Sequence, residues 1–411
     1  MKNILFILFL IVFVACKTDS NKITEDVTIK EDVAFLADDK LEGRQTGSNG
    51  EQAAADYIAE RFESLGLATK GTNGYFQTFT FKPKTDPHQE VNYTVKDGDS
   101  TITGTNVIGY LDNKAENTII IGAHYDHLGY GAEGSLYRGE TQEIHNGADD
   151  NASGVAVLLN LVKKLKAKNK GNNYLFMAFS GEEMGLLGSN YFTKNPTIDL
   201  AKANYMLNMD MVGRLKQDST LAVYGVGTSP ILKQVVKANN SKFKIIENES
   251  GVGPSDHTSF YNSDIPVLHF FTGQHEDYHK PGDDIEKLNY EGMETISTYI
   301  FDIISDLDDN GKLPFRKTKN ESEDVPRFKV GLGVIPDYLY DGKGMRIDGV
   351  SEDKPAEKAG LQKGDIVIKL GDSLVTDMMS YMRALSSFNA GDKTKVTVKR
   401  GEDEVEADIE F

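Results

Sequence analysis

Four short apolar runs in this chain are each followed within a few residues by histidine or acidic side chains. These side chains are His124, Asp126 and His127 after the first run, Glu182 and Glu183 after the second, Asp210 after the third, and His275, Asp277 and His279 after the fourth. A fifth acidic pair, Asp149 and Asp150, comes just before a predicted helix that begins near Ser153. Imidazole and carboxylate groups without thiols are typical ligands of zinc or manganese.

The number of carboxylates also suits a pair of metal ions. A carboxylate that bridges two ions roughly 3.5–4 Å apart lets them polarise a carbonyl and lower the pKa of a bound water together. A free carboxylate beside them can then take the proton. Because Glu182 and Glu183 are adjacent, we interpret one as a metal ligand and the other as a base.

Each of these features has a plainer explanation when it is taken alone. A histidine at a strand end is usually solvated, Asp149 and Asp150 are typical of a helix N-cap, and Glu182 and Glu183 are typical of the first turn of a helix. These explanations are independent of one another and do not account for the coincidence at one sheet edge. The sequence therefore favours a metal site.

The apolar runs indicate the elements that position these side chains. Four predicted strands cover residues 118–122, 174–179, 205–209 and 267–271, and predicted helices cover residues 49–66, 153–168, a segment after 179 and residues 289–307. Residues 75–82 and 91–96 alternate like exposed strands. Short apolar strands that alternate with helices predict an α/β fold, a mainly parallel twisted sheet with helices on both faces. Ligands of such sheets bind beyond the carboxyl ends of the strands.

Composition excludes several classes of protein. The 411 residues are enough for two or three domains, and 39% hydrophobic with 26% charged residues is typical of a folded chain. The formal net charge of −18 argues against nucleic acid as a partner. Cys16 is the single cysteine, so intramolecular disulfides and cysteine-ligated zinc are excluded.

The N-terminus is typical of an export signal. A short basic start precedes an apolar run from Ile4 to Ala15, which is too short to span a bilayer. The run ends at Cys16 in a pattern that resembles a bacterial lipobox, with Phe13 in place of the usual leucine. We predict a signal peptide at 1–15, lipidation of Cys16 and a tether at 16–29, hence a lipoprotein anchored in the bacterial cell envelope. The alternative is an ordinary secretory signal with an incidental cysteine.

The chain changes character near its C-terminal end. Residues 308–325 are polar and typical of a linker. Residues 326–411 form short alternating strands with Gly-Asp turns and are close to neutral, so most of the excess negative charge lies in the domain predicted for residues 30–307.

Five motifs of the first domain resemble the bacterial di-zinc aminopeptidases of metallopeptidase family twenty-eight. They lie at residues 122–127, 147–154, 180–189, 208–211 and 278–281, in the order and with the approximate spacing of that family. The resemblance covers about residues 30–307 and implies a zinc-exopeptidase fold that binds two zinc ions. Ser255, Asp256 and His257 also look like a family motif, with His257 interpreted as not ligating.

The resemblance implies a role for each matching residue. His124 and Asp210 would bind one zinc ion, and Glu183 and His279 the other. Asp150, which is preferred to Asp149, would bridge the two ions. In the family, the peptide bond after this acid is often cis. Glu182 would be the general base, Asp126 would orient His124, and Tyr278 would help to stabilise the oxyanion. His127 and His145 receive no role, and His88, His269 and His275 are taken as incidental.

The C-terminal domain resembles a PDZ domain of bacterial proteases. Gly331, Leu332, Gly333 and Val334 match its carboxylate-binding loop, with Val334 in place of phenylalanine, and residues 354–361 and 364–367 match its next conserved segments. The resemblance implies that protein C-termini bind at Leu332, Gly333 and Val334 as an added strand. The alternative is a domain that only packs against the peptidase.

The first functional hypothesis is a zinc aminopeptidase that hydrolyses N-terminal residues of peptides through a metal-bridged water, with Glu182 as base. A carboxypeptidase or dipeptidase of the same family stays open, because the metal site does not choose the substrate's terminus. A glutaminyl cyclase keeps a single zinc and is disfavoured by the five ligands. A non-catalytic peptide-binding lipoprotein is disfavoured by the intact Glu182.

Overall fold

The computed structural model describes residues 25–83, 92–96, 98–131, 134–168, 170–319, 329–337, 339–340, 342–351 and 353–411. Cys16, the predicted signal peptide, most of the predicted tether, His88 and residues 320–328 lie outside the described residues. Lipidation and membrane anchoring therefore stay predictions of the sequence. Among the described residues, no helix is both long enough and apolar enough to cross a bilayer.

The strands of the first domain form one large sheet. They are β1 (Ala68–Thr69), β2 (Phe76–Phe81), β3 (Ile102–Leu111), β4 (Thr118–His124), β5 (Asn173–Phe179), β6 (Ala203–Met209), β7 (Thr220–Tyr224), β8 (Lys244–Asn248) and β9 (Val267–Phe271).

The predicted α/β sheet is confirmed, and its parallel part is central. Strands β5, β4, β6 and β9 lie side by side in that order and pair in parallel. The flanks are mixed: β3 pairs antiparallel with β5, β1 and β2, and β7 pairs antiparallel with β9 and parallel with β8. The parallel centre places the carboxyl ends of β4, β5, β6 and β9 at one edge of the sheet.

Helices cover both faces of this sheet. They are α1 (Ile29–Leu36), α2 (Asn49–Ser64), α3 (Gly154–Lys168), α4 (Leu187–Lys194), α5 (Leu232–Ala238), α6 (His257–Tyr261) and α7 (Tyr290–Asp306). Short polar side chains start the longer ones: Ser48 accepts a hydrogen bond from the Glu51 N–H at α2, and Asn289 accepts one from Gly292 at α7.

The alternation of side chains along each central strand divides the core. In β4, Ile119 and Ile121 pack with the helices α1, α2, α3, α5 and α7, whereas Ile120 packs on the other face with α4 and α6. All seven residues of β4 are buried, as expected for a strand that is covered on both faces. Burial on both faces explains why the sequence of this strand is continuously apolar.

A buried ion pair joins the two N-terminal helices. Arg61 of α2 donates to Asp32 of α1 from Nε at 2.7 Å, and the Tyr57 hydroxyl donates to the same carboxylate at 2.7 Å. Arg61 is 0% exposed and Asp32 is 1% exposed. This pair lies in the helical layer, between α1 and α2.

The C-terminal domain has its own small core. Its elements are β10 (Val334–Pro336), β11 (Met345–Val350), α8 (Pro355–Lys358), β12 (Ile366–Leu370), β13 (Ser373–Leu374), α9 (Met378–Leu385), β14 (Lys393–Arg400) and β15 (Asp403–Glu410). The sheet order is β10-β11-β12-β14-β15, so β10 is an edge strand among the residues that the structure describes.

The first half of the predicted linker follows the surface of the first domain. Leu313 is buried in its core, and Thr318 makes hydrogen bonds with Tyr261.

Candidate functional site

The ends of β4, β5 and β6 and the segments that follow them bring together histidine and acidic side chains that could hold or face a metal ion. His124 ends β4, Glu182 comes three residues after β5, and Asp210 directly follows β6. One ligand atom of each lies within 4.8 Å of the others. A second group of three within the same distance is formed by His127, Asp150 and Glu183. The structure thus places the sequence-predicted residues at one sheet edge.

The two carboxylate oxygens of Asp150 face two different histidines. Its Oδ1 lies 3.3 Å from His124 Nε2, which is also 3.3 Å from Asp210 Oδ1. Its Oδ2 lies 3.3 Å from His279 Nε2, which is 3.2 Å from Glu183 Oε2. This is the arrangement that the resemblance implies for a bridging carboxylate between two metal positions.

Asp149, the neighbouring acid, points away from the cluster. Its carboxylate accepts hydrogen bonds from the Gly213 N–H at 2.6 Å and the Ser153 hydroxyl at 3.1 Å, and lies 3.3 Å from His275. The Asp150–Asn151 peptide bond is cis, as the resemblance implies. The geometry agrees with the choice of Asp150 over Asp149.

Glu182 is held in place through its backbone. Its N–H donates to Asp126 Oδ1 at 3.1 Å, and Asp126 Oδ2 accepts from the Thr46 hydroxyl at 3.0 Å. Burial raises the pKa of Glu182 well above its ordinary value, and Asp210 and Glu183 raise it further, against the opposing effect of His124.

Asp126 lies beside His124, the residue that it is predicted to orient, and contacts it mainly through the main chain. The Asp126 carboxylate is 3.7 Å from His124 Nδ1, whereas the backbone carbonyl of Asp126 is at 3.2 Å. The closer contact to the imidazole is therefore a main-chain one, and the carboxylate hydrogen-bonds to the Glu182 N–H instead.

The cluster stabilises positive charge. Burial opposes a charged imidazole, yet Glu183 and Asp150 raise the pKa of His279 to about 11. Burial and Asp150 act to raise the pKa of Glu183, but His279 and the hydrogen bond from His127 outweigh them and lower it to about 2. A buried set of carboxylates that stabilises cations in this way, with nitrogen and oxygen donors only, fits zinc or a similar dication.

Tyr278 lies beside His279. Its ring stacks on His279 with the centroids 3.8 Å apart. Burial raises the pKa of Tyr278 well above its ordinary value, and Asp150 and Glu183 raise it further. The phenol therefore stays protonated and can act as a hydrogen-bond donor.

Sequence reasoning missed His127. Its Nδ1 lies 2.8 Å from Glu183 Oε1, and the side chain is 2% exposed. The signal was its position three residues after His124, in the same segment after β4. His275 was also taken as incidental, but it lies against Asp149 and is 3.8 Å from Asp283.

The Ser255–His257 segment borders the cluster without adding a ligand atom to either group. The Ser255 hydroxyl donates to Asp210 Oδ2 at 2.7 Å. Asp256 is fully buried, and burial raises its pKa to about 7. His257 stacks on His269 at 4.4 Å between ring centroids, in agreement with a structural role.

The predicted carboxylate-binding loop precedes the edge strand β10. The carbonyls of Leu332 and Gly333 accept hydrogen bonds from Ala356 and Ser351, both at 2.8 Å. The N–H groups of Leu332 and Gly333 donate to no acceptor among the described residues. Leu332 is buried and Val334 is half-buried.

Comparison with known proteins finds a match for each of the two predicted domains. The model of peptidase family M28 matches residues 106–304, and a PDZ domain model matches residues 316–411. A probable leucine aminopeptidase from Arthroderma otae is 30% identical over 258 residues, which are 56% of this chain and 67% of that protein. The chain spans only about half the length of several other curated relatives that it matches.

Solved structures share the fold at low identity. An aminopeptidase from Aneurinibacillus sp. strain AM-1 superposes with a TM-score of 0.52 at 18% identity, over 70% of this chain and 94% of that one. The glutaminyl cyclase of Porphyromonas gingivalis superposes with a TM-score of 0.54 at 18% identity, over 69% of this chain and 99% of that one. With both the family model and the Arthroderma relative in agreement, the chain belongs to peptidase family M28 and carries a C-terminal PDZ domain.

Proposed function

We propose that this chain is a zinc aminopeptidase that holds two zinc ions at the edge of its sheet. The observation that carries the proposal is the position of Asp150, whose two oxygens face two separate pairs of ligands. His124 and Asp210 would hold one ion, and Glu183 and His279 the other. When bound, the ions would polarise the scissile carbonyl and lower the pKa of the attacking water.

The chain's own residues supply the proton transfer. Glu182 takes a proton from the attacking water and later gives it to the leaving amine. The hydrogen bond from its N–H to Asp126 holds the Glu182 backbone in position. Tyr278, a protonated donor stacked on His279, would stabilise the oxyanion.

The charge around the cluster favours an aminopeptidase over a carboxypeptidase. The cluster is built from an excess of acidic groups, which suits the α-ammonium of a peptide, whereas a C-terminal carboxylate needs a free cation. Two arginines close to the ligand segments are already committed: Arg44 donates to backbone carbonyls, and Arg214 donates to Asp277 at 2.6 Å.

A glutaminyl cyclase is the second candidate, because such enzymes share the fold. Two groups of side chains that could hold a metal, with Asp150 in contact with both His124 and His279, favour two ions and hence the peptidase. The fold alone does not separate the two activities.

A matched set of peptides tests the proposal. We expect the zinc-loaded protein to release the first residue of a leucine-initiated tetrapeptide, and N-terminal acetylation to slow the release by about 10²-fold or more, because an acetyl group removes the charge that the acidic site binds. Mass spectrometry follows the products, and C-terminal amidation serves as the matched control that leaves the rate unchanged. If amidation blocks cleavage and acetylation does not, the chain is a carboxypeptidase. Cyclisation of an N-terminal glutamine without hydrolysis would instead identify a cyclase.

We also propose that the PDZ domain binds peptides through a free C-terminal carboxylate. Among the described residues, the N–H groups of Leu332 and Gly333 donate to no acceptor, which suits a carboxylate, and β10 pairs with β11 alone, so its other side can accept an added strand.

Amidation of the peptide C-terminus should weaken this binding by about 10-fold or more, since hydrogen bonds to a charged group contribute about 1.5–3 kcal/mol. Fluorescence anisotropy with N-terminally labelled hexapeptides ending in valine checks this on the full-length protein. Equal binding of the acid and the amide would favour a domain that only packs against the peptidase.

A further inference from the structure

Arg44 is a buried arginine whose guanidinium binds only backbone carbonyls among the described residues. Its Nε donates to the Tyr125 carbonyl at 2.7 Å, and its Nη1 donates to the Asn146 carbonyl at 2.7 Å and to the Leu36 carbonyl. Its Nη2 donates to the Gly147 carbonyl at 3.1 Å. The side chain is 1% exposed.

Three of these four carbonyls, those of Tyr125, Asn146 and Gly147, belong to the two segments that carry the proposed ligands, and the fourth, that of Leu36, ends α1. Tyr125 directly follows His124, and Asn146 and Gly147 lead into Asp150. One planar group with donors in a fixed fork therefore ties the segment after β4 to the segment before α3. No other side chain among the described residues donates to both segments.

The backbone around Arg44 strengthens the same connection. The Arg44 carbonyl accepts from the His127 N–H at 3.1 Å, and the Gly43 carbonyl accepts from Gly129 at 2.9 Å. Gly43 has a φ of +68°, and a Cβ there would lie 2.5 Å from the Gly129 carbonyl oxygen, so a side chain is excluded at this close approach.

Arg44 also offsets the negative charge of the cluster. Burial lowers the pKa of Arg44 to about 10, while Asp126 and Asp150 act to raise it. The guanidinium makes its hydrogen bonds to carbonyls, so its charge acts on Asp126 and Asp150 through space.

We propose that Arg44 is a positioning residue that sets the zinc affinity by fixing the distance between His124 and Asp150. The inference rests on the zinc site of the proposed function. Residues 38–51, which contain Arg44, lie outside the segment that the family model matches.

Arg44→Lys tests this in the full chain, because lysine keeps the charge but cannot span four carbonyls with one ammonium. We expect the zinc dissociation constant, measured by competition with a fluorescent chelator, to rise by about 10–100-fold, the usual cost of losing a contact that orients a ligand. Arg61→Lys is the matched control. It alters another fully buried arginine, paired with Asp32, and should lower the unfolding temperature of the zinc-free protein without changing zinc affinity.

The outcomes separate cleanly. Zinc affinity of Arg44→Lys within twofold of the unaltered protein overturns the inference, as does an equal loss in both variants, which would reflect general destabilisation. If Arg44→Lys folds only with zinc, the zinc concentration at the folding midpoint gives the affinity. If neither Arg44→Lys nor Arg44→Gln folds at saturating zinc, Arg44 is structural and the inference is wrong. Failure of the unaltered protein to bind zinc would contradict the proposed function itself.

Discussion

Glu182→Gln is expected to lower kcat for peptide hydrolysis by about 10²–10⁴-fold, the usual contribution of a general base. Glutamine has nearly the same shape as glutamate but cannot accept and return a proton. The N–H of residue 182 keeps its hydrogen bond to Asp126, because that bond comes from the backbone. The site should therefore stay assembled while the proton transfer is lost.

Measuring zinc content together with kcat distinguishes the loss of the base from the loss of the metal. We expect Glu182→Gln to retain the metal of the unaltered protein, because the proposed ligand is Glu183. Glu60→Gln on the exposed face of α2 is the matched control and should leave kcat unchanged. Hydrolysis at the unaltered rate by Glu182→Gln would remove Glu182 from the mechanism and leave another group to act as the base.

The position of the cluster could be predicted from the sequence because a buried strand and the polar residues at its end are adjacent in the chain. An apolar run such as 118–122 predicts a buried strand, and polar residues after it must lie at the strand end. Parallel strands have their carboxyl ends at the same edge of a sheet. The proximity of His124 and Asp210 could therefore be predicted without knowing how the loops between them fold. The motif-based resemblance then assigned individual roles to side chains that position alone did not distinguish.

What the sequence did not predict depends on contacts between distant segments. Strand β3 pairs on both sides and is buried for much of its length, yet its threonines and glycines conceal the apolar pattern. Arg44 would be expected at the surface, since burial of a cation is costly. Only the fold shows that carbonyls more than 80 residues further along the chain surround it.

His127 and Asp126 show a second limit. Both lie in the segment that the sequence singled out, but the direction of each side chain depends on its partner. His127 contacts Glu183. The Asp126 carboxylate accepts hydrogen bonds from the Glu182 N–H and the Thr46 hydroxyl and lies farther, at 3.7 Å, from His124 Nδ1. Residue type and spacing were enough to identify the segment. Which atom of each side chain faces which partner depends on hydrogen bonds that only the structure shows.

Asp150→Asn is expected to remove the bridging position and with it most of the metal. Asparagine offers one neutral oxygen where Asp150 presents two charged ones to the separate pairs of ligands. The loss should exceed the about 10–100-fold in metal affinity that follows removal of an outer contact. Because the proposed chemistry needs both ions, peptide hydrolysis should fall by at least the same factor.

Asp149→Asn is the matched control, since it makes the same chemical change one residue earlier. Asp149 accepts the Gly213 N–H and the Ser153 hydroxyl and faces away from both groups of ligands, so its replacement should reduce stability but leave zinc content intact. Inductively coupled plasma mass spectrometry on the dialysed proteins gives the zinc per chain directly. If Asp149→Asn loses zinc and Asp150→Asn keeps it, the ligand assignment is reversed. If both keep two ions per chain, the metal lies elsewhere and the two-ion proposal fails.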